Sequence, residues 1–303
     1  MSGAATLPTP TRRFPEASAV LELLKPVTWF PPVFAFACGV VSSGAPLADR
    51  WPMALLGLLL AGPMVCGMSQ AVNDWFDRHV DAVNEPHRPI PSGRMPGRWG
   101  LYVAVAWTLL SLLVALPLGP WGFAAAVVAI AFAWAYSAPP IRLKANGWWG
   151  NLACGACYEG LPWITAAAVM AGGTPSTATF AAAALYSLGA HGIMTLNDFK
   201  SVEGDRRFGI GSLPVLLGPE RAGRVACVFM AVPQAVVAAL LLAWGAPWHA
   251  AVVAVLLAGQ VALMARLLRD PRGLAPWYNG TGVLLFVTGM MVTATAIRAG
   301  IGA

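Results

Sequence analysis

The chain reads as an all-α membrane protein, nine transmembrane helices around a central cavity, and three observations predict it. Hydrophobic residues make up 58% of the 303 positions and charged residues 11%, against roughly 25% charged in a soluble domain. Nine apolar stretches approach or exceed the roughly 18–20 residues that cross a bilayer. The basic residues are one-sided: with nine spans, all of the 19 Lys and Arg except Arg50 and Arg298 fall on the same side. That side is cytoplasmic by the positive-inside rule, which puts the N-terminus inside and the C-terminus outside.

Residues 1–16 are polar and proline-rich, with no apolar run before a cleavage site, and read as a short disordered cytoplasmic tail. Residues 17–303 read as one polytopic domain. An amphipathic stretch around Ala17–Leu24 leads into the first span, 24–43. The second, 52–72, stops where a polar run begins. Spans 100–117 and 120–137 are separated by a tight Leu118-Gly119-Pro120 turn. Spans 150–171, 178–197, 222–244, 247–267 and 280–298 complete the set. Trp51, Trp121 and Trp244 fall where interfacial belts are expected. Cys154 and Cys157 have a metal-like or redox-like spacing, but inside an apolar helix they pack as small residues. The net charge of +6 therefore describes one face. It suits anionic lipid and, more sharply, a diphosphate; there is no nucleic-acid motif.

The most informative segment is Asn73-Asp74-Trp75-Phe76-Asp77-Arg78-His79-Val80-Asp81 and its continuation to Arg94, which holds four of the 13 acidic residues. As a helix it places Asp74, Asp77 and Asp81 at i, i+3 and i+7, on one face. Carboxylates gathered there repel unless a cation neutralises them, and a hard divalent ion, Mg²⁺, is the natural partner. The bland alternative is a solvated loop beside the membrane.

A weak internal repeat supports the sharper reading. The second span ends in Asn73-Asp74-Trp75 and the sixth in Asn197-Asp198-Phe199, both on the cytoplasmic side. Asp198 and Asp205 share a face if the helix continues, with Gly204 a point of interruption; Glu203 adds a third carboxylate. Two facing acidic clusters with Arg88, Arg94, Arg142, Lys144, Lys200 and Arg206 nearby suit metal ions bridged to a diphosphate. Opening into an apolar bundle, such a site would take a ligand whose remainder is apolar, a prenyl diphosphate.

These residues resemble the UbiA superfamily of intramembrane prenyltransferases. The motif Asn73-Asp74-x-x-Asp77-x-x-x-Asp81 matches its first aspartate-rich motif. Asn84-Glu85-Pro86-x-Arg88-Pro89-Ile90-Pro91-Ser92-Gly93 is similar to the chlorophyll and bacteriochlorophyll synthase branch. Trp29-Phe30-Pro31-Pro32, the segment Tyr136 to Lys144, Tyr158-Glu159-Gly160-Leu161-Pro162-Trp163 and Trp277-Tyr278-Asn279-Gly280 carry the likeness over almost the whole chain. Two positions depart from the family: Ser201 stands where many relatives have Asp, and Pro140 stands where a Tyr-x-x-x-Lys motif would end.

The resemblance implies Mg²⁺-dependent esterification of a (bacterio)chlorophyllide propionate by geranylgeranyl or phytyl diphosphate. It further implies a multi-pass protein of a bacterial inner or intracytoplasmic membrane, and a place in metabolism compatible with contacts to other pigment-biosynthesis or light-harvesting proteins. Asp74, Asp77, Asp81, Asp198, Glu203 and Asp205 would hold the metal. Arg88, Arg94, Lys144, Lys200 and Arg206 would hold the diphosphate, with Arg142 or Lys144 in the place of the missing motif lysine.

Other residues have two readings. Glu159, an ionisable group within the fifth span, orients the acceptor or is a protonated structural acid. His191 ligates the chlorin magnesium or packs between helices. Asn73 and Asn197 contact the diphosphate or cap helix ends. Tyr136 contacts the diphosphate or forms cavity wall. His79 and His87 are read as solvent-exposed. Other acceptors (a quinone precursor, haem), a cation-coupled transporter and a pigment carrier are the competing functions. The carrier would need no aspartate clusters.

Overall fold

The computed structural model describes residues 13–300. Residues 1–12 of the expected tail lie outside them, whereas 13–16 are docked and not loose: Trp99 Nε1 donates to the Arg13 carbonyl at 3.1 Å and the Phe14 and Trp99 rings lie 5.8 Å apart.

The described residues contain helices and no named strand. In chain order they are α1 (Ala17–Leu23), α2 (Phe30–Ser42), α3 (Leu47–Leu59), α4 (Gly67–Asn84), α5 (Trp99–Ala115), α6 (Gly119–Ser137), α7 (Gly147–Gly155), α8 (Leu161–Ala171), α9 (Thr177–Asn197), α10 (Val202–Arg207), α11 (Leu213–Leu217), α12 (Pro219–Ala243), α13 (Pro247–Leu267), α14 (Pro271–Asn279) and α15 (Gly282–Arg298). π-helical turns join α3 to α4 (Leu60–Cys66) and α7 to α8 (Ala156–Gly160).

Each of the nine expected apolar stretches falls largely on helix. By length and apolar composition, five helices can cross a membrane, or up to seven if two bent pairs each count as one span. The 39 residues Trp99–Ser137 count once in that tally, yet they are a hairpin. Trp134 Nε1 donates to Thr108 Oγ1 at 3.1 Å across 26 residues, which a continuous helix would hold about 39 Å apart. Gly119, at φ +72°, makes the reversal that the Leu118-Gly119-Pro120 signal predicts.

Lipid tails are as apolar as leucine, so helices in a bilayer associate through close packing and buried polar contacts. Both are present. Gly39 lets α2 lie directly on the Trp163 backbone of α8, and Gly192 lets α9 lie on the Ala226 carbonyl of α12. Gln234 and Gln260, both fully buried, exchange side-chain hydrogen bonds of 2.8 and 3.1 Å between α12 and α13. A core of Trp163, Tyr186, Phe286 and Met290 fills the bundle between α2, α8, α9 and α15.

Gln234→Leu leaves the Gln260 amide unsatisfied and is expected to cost about 1 kcal/mol. Adding Gln260→Leu should recover most of that loss. Thermal unfolding in detergent of the single and double variants measures it; a double variant as unstable as the summed singles would refute a pairwise bond.

Candidate active site

The C-terminal end of α4 organises the site. The helix does not stop at Asn73-Asp74, as the repeat suggests, but continues three turns to Asn84. Asn73 therefore has no helix end to cap. Its amide donates to Asp77 Oδ2 at 3.1 Å and to Ser137 Oγ at 3.4 Å. Seven residues are two turns less about 20°, so Asp74 and Asp81 stack while Asp77 sits about 60° around. One guanidinium accordingly spans the stacked pair: Arg88 reaches Asp74 at 3.2 Å and Asp81 at 2.8 Å, and also pairs with Glu85. Asp74 takes a second cation, Lys25, at 2.6 Å. Asp77 faces the loop after α6, where Lys144 holds one of its oxygens and Arg142 the other, the latter at 3.5 Å.

Lys25 and Arg142 share a backbone peculiarity. They are the non-glycine residues at positive φ among the described residues, 48° and 41°. Each precedes a short 3₁₀ turn, and each grips an aspartate of α4. Left-handed backbone costs an L-residue on the order of 1–2 kcal/mol, and here it aims a cation at an aspartate of α4.

The second cluster is built differently from the expectation. The chain breaks at Ser201 (φ −104°, ψ 1°) between a 3₁₀ turn, Asp198–Lys200, and α10, so Asp198 and Asp205 do not share one continuous helix. Gly204 is not the interruption. It sits within α10 and lets that helix press against the Asn84 amide at the end of α4, where a Cβ would overlap it. This contact brings the two acidic segments together. Asp205 accepts from Ser201 at 2.8 Å and from Ser212 at 2.7 Å, so the residue replacing the family's aspartate holds its neighbour in place. Burial pushes the Asp205 carboxyl up, against the pull of those hydroxyls. Asp198 accepts from Asn151 at 3.1 Å. Asn197 accepts from Asn279 at 2.8 Å.

The loop carrying Arg142 and Lys144 is tied to the chain beyond α10 by Gly147 N–H to Gly211 C=O, 2.8 Å, and Gly211 N–H to Ala145 C=O, 2.9 Å. Burial pushes the Lys144 ammonium down and Asp77 draws it back up. Lys200 closes the 3₁₀ turn that Asp198 opens, and Tyr136 directly precedes Ser137, which accepts from Asn73.

Several expected residues do not. Glu203 is exposed while Asp205 is buried, because residues two apart on a helix point about 200° away from each other; Glu203 is no ligand partner of Asp205. Arg206 is exposed. Arg94 turns away to Glu22 of α1, at 2.6 and 2.8 Å, and to the His87 carbonyl, so it pins α1 to the loop. His191 is buried against Phe229, ring centroids 4.1 Å apart and stacked, and near Trp148, the packing alternative. Glu159 is buried in the second π turn, and its Oε2 has no partner.

Lys25, Asn151, Ser212 and Asn279 were missed. Lys25 had counted only toward topology. Asn151, a polar residue among glycines in an apolar stretch, was the legible signal.

Among the described residues no three His, Cys, Asp or Glu groups converge as a metal cluster; the carboxylates of α4 are interleaved with Lys25, Arg88, Arg142 and Lys144. The donors still suit a hard divalent ion: they are carboxylate oxygens, and Asp74 Oδ2 is buried with no partner.

A polytopic helical bundle with interleaved acids and bases at one end is the build of a membrane prenyltransferase, and the pattern of the UbiA prenyltransferase family matches residues 28–296. The chain belongs to that family. It is 60% identical over 287 residues, 95% of each chain, to the bacteriochlorophyll synthase 33 kDa chain of Cereibacter sphaeroides. It is 58% identical to that of Rhodobacter capsulatus, over 96% of this chain and 97% of the relative. The fold is shared with a UbiA homolog from Archaeoglobus fulgidus whose structure is bound to DMAPP and Mg²⁺, at a TM-score of 0.69, 22% identity, and 91% and 99% coverage of this chain and that one.

Lys25→Met is expected to lower kcat/KM for the prenyl diphosphate about tenfold to a hundredfold, the worth of one charge-assisted contact. Arg94→Met, which breaks an exposed pair, should stay within about twofold. Steady-state diphosphate release compares them; equal losses in both would remove the distinction drawn between the two cations.

Proposed function

We propose that this chain esterifies the propionate carboxylate of bacteriochlorophyllide, or chlorophyllide, with a geranylgeranyl or phytyl group from the prenyl diphosphate, releasing diphosphate as the last step of pigment synthesis. The observation that carries it is 60% identity along 95% of the chain to a bacteriochlorophyll synthase. It acts as a multi-pass protein of a bacterial inner membrane, with the N-terminus and the acidic end facing the cytoplasm.

Asp74, Asp77, Asp81, Asp198 and Asp205 would hold Mg²⁺, which when bound supplies neutralisation of the leaving diphosphate. The chain's own residues do the rest. Lys25, Arg88, Lys144 and Lys200 stand beside those carboxylates and bind the phosphate oxygens. With metal and diphosphate bound, Asp74, Asp77 and Asp81 would exchange basic partners for the metal as Lys25, Arg88 and Lys144 turn to the phosphate oxygens, while Asp198 and Asp205, held by Asn151 and by Ser201 and Ser212, would gain their cation from the metal. This arrangement favours metal and diphosphate together over either alone.

The allylic C–O bond breaks and its electron pair leaves with the diphosphate. A propionate oxygen forms the new bond to C1. That carboxylate, with an ordinary value near 4–5, is ionised at neutral pH, so no general base is required. The apolar bundle keeps water from the allyl cation.

Membranes containing the protein, given geranylgeranyl diphosphate, Mg²⁺ and bacteriochlorophyllide a or chlorophyllide a, should yield esterified pigment. Chelation with EDTA should stop the reaction and Mg²⁺ restore it. Asp77→Ala should reduce the rate by about a hundredfold or more. Diphosphate release without esterified pigment from either acceptor would sink the tetrapyrrole reading and leave another acceptor; no diphosphate release by folded protein would sink the prenyltransferase reading of this chain.

A further inference from the structure

On the other side of Asp77 from the diphosphate grip lies a cavity of about 230 Å³ whose lining includes Phe76, His79, Ser137, Pro139, Arg142 and Phe208. Its place follows from helical geometry. Phe76 and His79 project from α4 roughly opposite Asp74 and Asp81, with Asp77 between the two faces. The cavity therefore shares a wall with the acidic site. Arg142 reaches from it to Asp77 at 3.5 Å, and Ser137 accepts from Asn73, which itself donates to Asp77.

The lining is mixed in an informative way. Two phenyl rings and a proline give flat apolar walls, and Phe76 is fixed edge-on against Trp134, centroids 6.2 Å apart. The charged member is a guanidinium, which matches the fork geometry of a carboxylate. An imidazole, His79, stands exposed. Apolar walls, one cation and one metal-binding nitrogen describe a flat amphipathic acid that carries a metal.

Arg142 is also the cation that can be spared. Its contact with Asp77 is at the limit of hydrogen-bond length, while buried Lys144 holds the same carboxylate more closely. Turning Arg142 toward a ligand leaves Asp77 paired. Lys144 thus belongs to the diphosphate side and Arg142 to the cavity.

We propose that this cavity seats the propionate-bearing edge of the tetrapyrrole acid, with Arg142 holding the carboxylate and His79 reaching the magnesium of the ring from the cavity's mouth. The assignment rests on the esterification reading above. The volume admits an edge of the macrocycle and not the whole ring, so the remainder extends past His79 and the exposed Phe208. The carboxylate is thereby held next to Asp77, on the side from which it meets C1 as the diphosphate departs.

The test uses purified full-length protein with bacteriochlorophyllide a and geranylgeranyl diphosphate. Arg142→Gln is expected to raise KM for the pigment about tenfold or more, one charged contact, and KM for the diphosphate by less than about twofold; Arg142→Lys should recover part of the loss. Phe208→Trp narrows the cavity without touching an ion pair and should raise the pigment KM alone. His79→Phe should shift the Qx absorption band of pigment bound in the absence of the prenyl donor, because axial ligation of the ring magnesium is lost. Geranylgeranyl diphosphate binding by each variant checks that it is folded.

A rise in the diphosphate KM with an unchanged pigment KM for Arg142→Gln would overturn the assignment, as would pigment KM values and Qx bands unchanged in all variants. Wild-type protein that releases diphosphate but esterifies no pigment would instead overturn the functional reading, and this assignment with it.

Discussion

The acidic face of α4 is the constraint around which the rest of that end of the bundle is arranged. Asp74 and Asp81 are buried, and a buried carboxylate is tolerated only when paired and hydrogen-bonded. Helix α4 cannot supply the partners. They come from elsewhere in the chain, Lys25 ahead of α2 and Arg88 in the loop after α4, while Arg142 and Lys144 after α6 serve the half-buried Asp77. Neutralising one helix face therefore fixes the positions of three connections, and two of those cations sit on left-handed backbone to do it. The exposed Arg94–Glu22 pair then ties α1 to the same loop as a peripheral strap, and the Gly204–Asn84 contact brings in the second acidic segment.

What aims that face is set lower in the bundle. The π turn Leu60–Cys66 directly precedes α4, and one extra residue in a helical turn rotates everything after it by about 100°. A second π turn, Ala156–Gly160, lies against the first: Tyr158 accepts from Gln70 at 2.7 Å and contacts Cys66 at 3.5 Å. The orientation of the aspartates is thus held by two irregular turns locked together by a tyrosine. Close glycine-mediated packing supplies the rigidity that a hydrophobic driving force cannot supply in lipid.

Much of this was legible in the sequence and some was not, for identifiable reasons. Apolar stretches and the turn at Gly119 are local properties, and the helices lie where periodicity and length put them. The i, i+3, i+7 spacing gave the shared face of Asp74, Asp77 and Asp81. What failed was anything that depended on where a helix stops or bends. Rising polarity at Asn73 marks an end to the second span, yet a helix whose polar face meets cations has no reason to end there. The break at Ser201 looked like a break at Gly204, because glycine is the usual interrupter, while the actual use of Gly204 is a close approach that only the tertiary contact reveals. Glu203 and Arg206 were included by nearness in sequence, and helical rotation carries them outward. Lys25 lies 49 residues from Asp74, and no local pattern connects the two.

The one-sidedness of the site decides between the functional classes. Transporter sites lie near the bilayer midplane and must open to both sides. Here the acids and bases of the site collect at the ends of α4 and α9, with a buried aromatic core further down the bundle. Trp163, Tyr186 and Phe286 are fully buried, with centroids 5.8 and 5.2 Å apart in a stacked and an edge-on contact. Tyr186 lies twelve residues below Asp198 on the same run of chain, about 18 Å of helix. An aromatic core at that depth keeps this part of the bundle apolar. A dry interior is also what lets a carbocation meet a carboxylate before it meets water. An acid-and-base site at one end above an apolar core suits a dry alkyl transfer better than an ion path.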